Sequence, residues 1–342
     1  MTPTAMTTTV SPISDLEPTD PRVITNNLSF ADRVFSRVSL VSGLAVLVIM
    51  SAVGLFLSIK ALEALRIMGF SFFTTSEWKI DQNKFGIAAV LLGSVSIALV
   101  AVGIGAPVAL GTALFITEVA PLRIRSMITS LVDLMAAVPS VVYGIWGMLL
   151  FNDLAIGLSR WLATWMSWIP FFRVEGADPT NPLANPSVYS SSVFIAGMVV
   201  ALMIIPLQCS IMREVFSQVP SGEREAAFAL GSTRWGMIRT VALPFGRGGI
   251  IGGTILGLGR ALGETIAVVL ILSTSFDIKF RILEIGGNSV ASLIALNYGE
   301  ASVLGISALM AAGLVLFAMT LVVNFAASIF VNRSRSGSSS EA

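Results

Sequence analysis

The sequence has no histidine and a single cysteine, Cys209, in 342 residues. Without histidine there is no His-based catalytic triad, no histidine-ligated zinc and no histidine-ligated haem. One cysteine forms neither an intramolecular disulfide nor a thiolate metal cluster. In its apolar surroundings Cys209 reads as a small hydrophobic residue. Charge is also scarce: 12% of residues are Asp, Glu, Lys or Arg, against ~25% in soluble domains. The 21 basic and 20 acidic residues nearly cancel, leaving +1. That balance excludes a nucleic-acid binder, which carries a basic surplus against phosphates. No G-x-x-x-x-G-K-[ST] stretch occurs, so the chain has no P-loop for ATP.

Apolar side chains are abundant instead. They make up 55% of the chain, and the mean hydropathy is +0.86. So few charges cannot cover a soluble protein of this size, so the chain belongs in a membrane. A helix crossing the hydrocarbon core needs ~20 mostly apolar residues. Six stretches qualify, at about 40–59, 85–116, 127–150, 192–211, 248–274 and 303–331. The expected fold is therefore all-α, a polytopic membrane protein with six transmembrane helices. The second span is long enough to tilt or to break at Pro107, while Pro139 and Pro206 sit inside the third and fourth.

Residues 1–34 are rich in Thr, Ser and Pro and lack the apolar run of a secretory signal. They read as a disordered cytoplasmic tail, 35–332 as the membrane domain and 333–342 as a second polar tail. Placing the N-terminus inside puts most of the arginine in cytoplasmic segments, so both termini are expected there. Trp161, Trp165 and Trp168 share one helical face, which suggests an interfacial helix on the outer surface.

Charged groups inside spans cost about 2.5–3.5 kcal/mol each on insertion scales and are functional candidates by default. Asp133, Arg260 and Glu264 qualify. Arg260 and Glu264 stand four apart and so share a helical face. They form either a buried ion pair that fixes helix packing or a passing site for an oxyanion. In the second case Glu264 neutralises the guanidinium while the path is empty. Around them Gly249, Gly253, Gly257, Gly259 and Gly263 make small-residue stripes suited to close helix contact. Asp133, Ser140 and Tyr143 also share a face. Either this face lines a pathway, or Asp133 pairs with Arg123 or Arg125.

The loop at 220–244 opens with helix-start signals in Pro220, Ser221, Glu223 and Glu225. Gly231 then interrupts, and Ser232 or Thr233 can cap a second short helix expected to end before Pro244. Within this loop Glu225, Ala226, Ala227, Gly231, Val241, Leu243 and Pro244 stand at the spacing of the EAA motif, and the loop resembles the EAA loop of bacterial ABC importer permeases. Val241 replaces the usual isoleucine. The resemblance implies the ABC importer type I permease fold and a coupling loop that docks on a separate ATPase. ATP and Mg then belong to that partner, and this chain is no enzyme and carries no cofactor.

Three further segments resemble the phosphate-specific (Pst) permeases. Residues 259–265 read G-R-A-L-G-E-T, 137–144 read A-V-P-S-V-V-Y-G, and 117–121 read T-E-V-A-P, followed by Arg123 and Arg125. The resemblance covers about 35–332 and favours the PstC type. It implies a phosphate importer of the bacterial inner membrane, with Arg260 and Glu264 as the charged pair on the phosphate path. Many family members carry Glu where this chain has Asp133. The implied partners are a second permease of PstA type, a dimer of PstB-type ATPase subunits, an extracytoplasmic phosphate-binding protein of PstS type, and membrane lipid. Two alternatives stay open. One is another oxyanion such as sulfate or molybdate. The other is an ion-gradient carrier using Asp133, Glu264 and Arg260 as a proton relay.

Overall fold

The computed structural model describes residues 29–175, 178–181 and 185–335. The expected tails at 1–28 and 336–342 lie outside the described residues. Contacts divide the chain into two units, Met1–Val53 and Gly54–Ala342. The described part of the first unit is an apolar stretch of helix.

Helix α1 spans Phe30–Met68, so it begins before the expected tail boundary at 34. A one-turn helix α2 (Ser71–Thr74) and a small hairpin, β1 (Trp78–Lys79) paired with β2 (Lys84–Phe85), follow. Helix α3 (Ala88–Leu114) continues as a π-turn, Phe115–Val119. Next come α4 (Leu122–Ala137), α5 (Ser140–Trp146), a π-turn Gly147–Phe151, and α6 (Asn152–Trp165). Helix α7 is Val193–Ser217 and α8 is Ser221–Ala229. Helix α9 (Arg234–Met237), a π-turn Ile238–Ala242 and α10 (Leu243–Leu262) run on without a break. Short helices α11 (Ile266–Ile271) and α12 (Val290–Asn297) precede α13 (Val303–Arg335). Among the described residues six helical segments are long and apolar enough to cross a membrane.

Three spans differ from expectation, and the first of them, expected at 40–59, is a helix over Phe30–Met68. The third was expected at 127–150, but the chain leaves the helix at Val138 (φ −68°, ψ 127°). A residue before proline is pushed out of the α region, and Pro139 fixes the break. The long apolar helix here is Ser140–Trp165. Trp161 and Trp165 therefore end this span rather than forming a separate interfacial helix, and Trp168 lies beyond it. The fifth span was expected at 248–274 and is Arg234–Leu262. Pro244 does not stop it. The π-turn just before Pro244 widens the ladder where proline lacks an N–H and crowds the preceding turn. Pro107 likewise stays within a continuous helix.

In the second unit α7 forms the centre. Ile97, Ala98 and Ala101 of α3 pack on its Ala196, Val199, Val200 and Ile204. Glycines bring α10 against the same helix: Gly249 meets Val215, Gly253 meets Met212, and Gly257 meets Gln208. A Cβ at any of them would press on α7, so the expected small-residue stripe is a packing seam. A second cluster joins Ala61 and Ala64 to Phe72, Phe85, Leu293 and Leu309. A third joins Ile116, Met212, Phe216, Ala227, Met237 and Ile238 under α8.

Candidate functional site

Helix α8 ends because Gly231 takes φ +82°, a left-handed conformation that L side chains rarely adopt. The Gly231 N–H donates to Phe228 O (2.9 Å) and the Ser232 N–H to Ala227 O (3.1 Å), satisfying the last carbonyls of the helix. The Thr233 side chain then caps α9 by accepting from the Gly236 N–H at 3.1 Å. Thr233, rather than Ser232, is therefore the cap. Glu225 and Ala226 are exposed, while Ala227 turns inward onto the chain's own apolar cluster. Val241 lies in the π-turn, and Leu243 and Pro244 open α10. Large apolar side chains are exposed on this projection: Leu230 is 88% exposed, Trp235 65% and Phe228 44%. Beside them a cleft of about 570 Å³ is lined by Ala226, Leu230, Val241 and Pro244.

The projection is tied down by charge. Arg224 of α8 pairs with Glu118 at 3.0 Å and donates to Phe216 O at 2.9 Å. Arg125 of α4 donates to Ile116 O at 2.6 Å and also to Thr117 O. The π-turn ending α3 is thus gripped from two sides. Asp133 approaches Arg213 of α7 at 3.7 Å rather than Arg123 or Arg125. The break at Pro139 puts Asp133 on a different helix from Ser140 and Tyr143, so the three do not share a face.

Two helix breaks, at Pro139 before the third span and at Gly263 after the fifth, are joined by packing of α5 on α11. Gly144 packs against α11, where a Cβ would meet Leu270 at 2.8 Å and Ala267 at 3.0 Å. Tyr143 packs on the cluster holding Ala261, Leu262 and Val268. Its hydroxyl donates across the Pro139 break to Met135 O at 3.0 Å. Ser140 is the first residue of α5. On the other side α10 ends at Leu262, so Arg260 and Glu264 do not sit on one helical face. Glu264 is buried and accepts from the Ala267 N–H at 3.4 Å. Arg260 is exposed, and no carboxylate pairs with it among the described residues. The expected Arg260–Glu264 pair is absent because the chain turns at Gly263 between them. Broken helices are tolerated at membrane depth where they meet protein or a water-filled path.

At the far loops Arg281 pairs with Glu284 at 3.2 Å and with Glu175. Burial disfavours its charge, but hydrogen bonds to the two carboxylates outweigh that and raise its pKa. Trp168, Arg173, Lys279 and Arg281 line a cleft of about 390 Å³ there.

The model of binding-protein-dependent transport system inner membrane components matches residues 105–336. The chain belongs to that family. Among curated relatives it is 39% identical over 262 residues to the phosphate transport system permease protein PstC of Xylella fastidiosa. That alignment covers 76% of this chain and 78% of the relative. It is 35% identical over 300 residues to the phosphate transport system permease protein PstC 2 of Mycobacterium tuberculosis, covering 86% and 90%. A solved bacterial alginate ABC transporter shares the fold, with TM-score 0.57 at 17% identity, covering 89% of this chain and 95% of that one.

As a binding-protein-dependent transport component the chain is a multi-pass membrane protein with the ABC importer permease fold, and a transport subunit rather than an enzyme. The sequence alone gives Glu118 and Arg224 no role. They are 106 residues apart, and no periodicity links residues so distant. It also gave no role to Phe228, Leu230 and Trp235. Their signal was present as large apolar side chains inside a polar loop.

Proposed function

We propose that this chain is one of two permease subunits of an ATP-driven inorganic phosphate importer in a bacterial inner membrane, with both termini in the cytoplasm. The observation that carries the cargo is 39% identity to a phosphate permease along most of both chains. A second permease of PstA type completes the path. A dimer of PstB-type ATPase subunits, which hold ATP and Mg, docks on α8. A PstS-type phosphate-binding protein delivers its ligand at the face carrying Arg173 and Arg281. Closure of the ATPase pair moves the spans as rigid bodies and alternates access to the path.

Arg260 is the phosphate contact in this reading. An exposed, unpaired guanidinium inside an apolar span cannot face lipid cheaply, so it faces the path or the second permease. Its planar fork suits a phosphate oxygen pair. Glu264, Ser140 and Tyr143 shape the adjoining breaks, and Asp133 acts through Arg213. Exposed Phe228, Leu230 and Trp235 favour a docked ATPase over a free-standing ion-gradient carrier, which needs no such projection. Reconstituted vesicles holding the full complex test the cargo. Phosphate uptake that needs ATP is expected. Uptake of sulfate or molybdate without phosphate, or uptake that persists without the ATPase and collapses with an uncoupler, overturns the proposal.

A further inference from the structure

Helix α8 has a weak apolar hold on its own chain. Of its residues only Ala227 is buried, while Phe228 and the following Leu230 are exposed. Such a helix, pushed by a partner, slides on the apolar surface beneath it, because apolar contact is non-directional. Direction comes from the Arg224 side chain. It reaches inward to the Glu118 carboxylate at 3.0 Å and to the Phe216 carbonyl at 2.9 Å. The Glu118 side chain is only 3% exposed and sits in the π-turn that ends α3, while Phe216 is in the last turn of α7. Arg125 locks the same π-turn through its Ile116 and Thr117 carbonyls. One guanidinium therefore joins the projection to two apolar helices at once. A charge-assisted contact to a shielded carboxylate keeps its geometry under load, since leaving Glu118 unpaired is unfavourable.

We propose that the Glu118–Arg224 pair is the mechanical link that carries movement of α8 into α3 and α7, making both positioning residues for transport rather than substrate contacts. The inference rests on the reading of α8 as the ATPase-docking segment. It adds that docking alone is insufficient, because force reaches the spans through this pair. Without it the ATPase binds and turns over while the path stays still.

The test uses the complete importer in vesicles, reading phosphate moved per ATP hydrolysed and the amount of ATPase that co-purifies. Glu118→Gln and Arg224→Gln are expected to retain the ATPase and to lower phosphate per ATP at least tenfold, with Arg224→Lys recovering most of it. Should a single variant fail to fold, Glu118→Leu/Arg224→Met removes the pair without stranding a buried charge, and the same drop is expected. An unchanged phosphate-to-ATP ratio in any assembled variant lacking the pair overturns the link. So does loss of assembly in both the single and the double variants, which makes the pair a folding contact only. Failure of the underlying reading looks different. In that case Gly231→Pro, which disrupts the α8 end, leaves the ATPase bound and coupling normal.

Discussion

The corner beneath α8 and the paired breaks at Pro139 and Gly263 both hold charge at the ends of apolar helices, and they treat it in opposite ways. Under α8 the carboxylate of Glu118 is buried and matched by Arg224. At the breaks Glu264 is buried with one backbone donor, and Arg260 stands exposed without a carboxylate. A satisfied pair between packed helices stiffens, because moving either partner strands the other. An unsatisfied group keeps its hydrogen-bonding capacity for something that arrives. The same residue type, arginine, is thus paired at 224 and without a carboxylate at 260, and only its surroundings decide.

The contrast breaks most visibly at Arg260. Arg260→Ala should lower phosphate uptake by ~100-fold or more, equivalent to about 2.7 kcal/mol, while the complex still assembles. Ordinary uptake by that variant would remove Arg260 from the path. Gly231→Pro should act next most strongly. Proline cannot reach φ +82° and removes the N–H that donates to Phe228 O. Loss of ATPase on co-purification is expected, and a normal, fully coupled complex would count against α8 as the docking segment. Tyr143→Phe deletes one hydrogen bond across the Pro139 break, worth ~1 kcal/mol. Denaturant unfolding should register that decrease, and a shift near zero would mean the break is held by packing alone. Asp133→Asn should matter least. Its contact with Arg213 is long and its side chain 56% exposed, a setting where ion pairs contribute about 0–1 kcal/mol. A large loss of uptake would move Asp133 onto the path with Arg260.

How legible each region was follows from the range of the interactions that build it. The second, fourth and sixth spans are close to their apolar runs, because hydrophobicity is a local property summed over neighbours. The end of α8 was legible too, since a glycine between two short helical patterns is a local signal. Prolines were not separable by sequence. Pro107 and Pro206 stay within continuous helices, Pro139 breaks one, and Pro244 is absorbed by a π-turn. At Pro139 the Tyr143 hydroxyl takes the freed carbonyl of Met135. The inward turn of Ala227 likewise depends on Met237 and Ile238 beneath it.

Composition by itself determined that the chain enters a membrane and has neither histidine chemistry nor a P-loop of its own, because those conclusions need only counts and short motifs. Tertiary structure decided which charges are paired. Whether Arg224 meets Glu118, and whether Arg260 meets Glu264, is settled by where helices end and cross, and at ion-pair distances a single turn of backbone is enough to make or remove the contact.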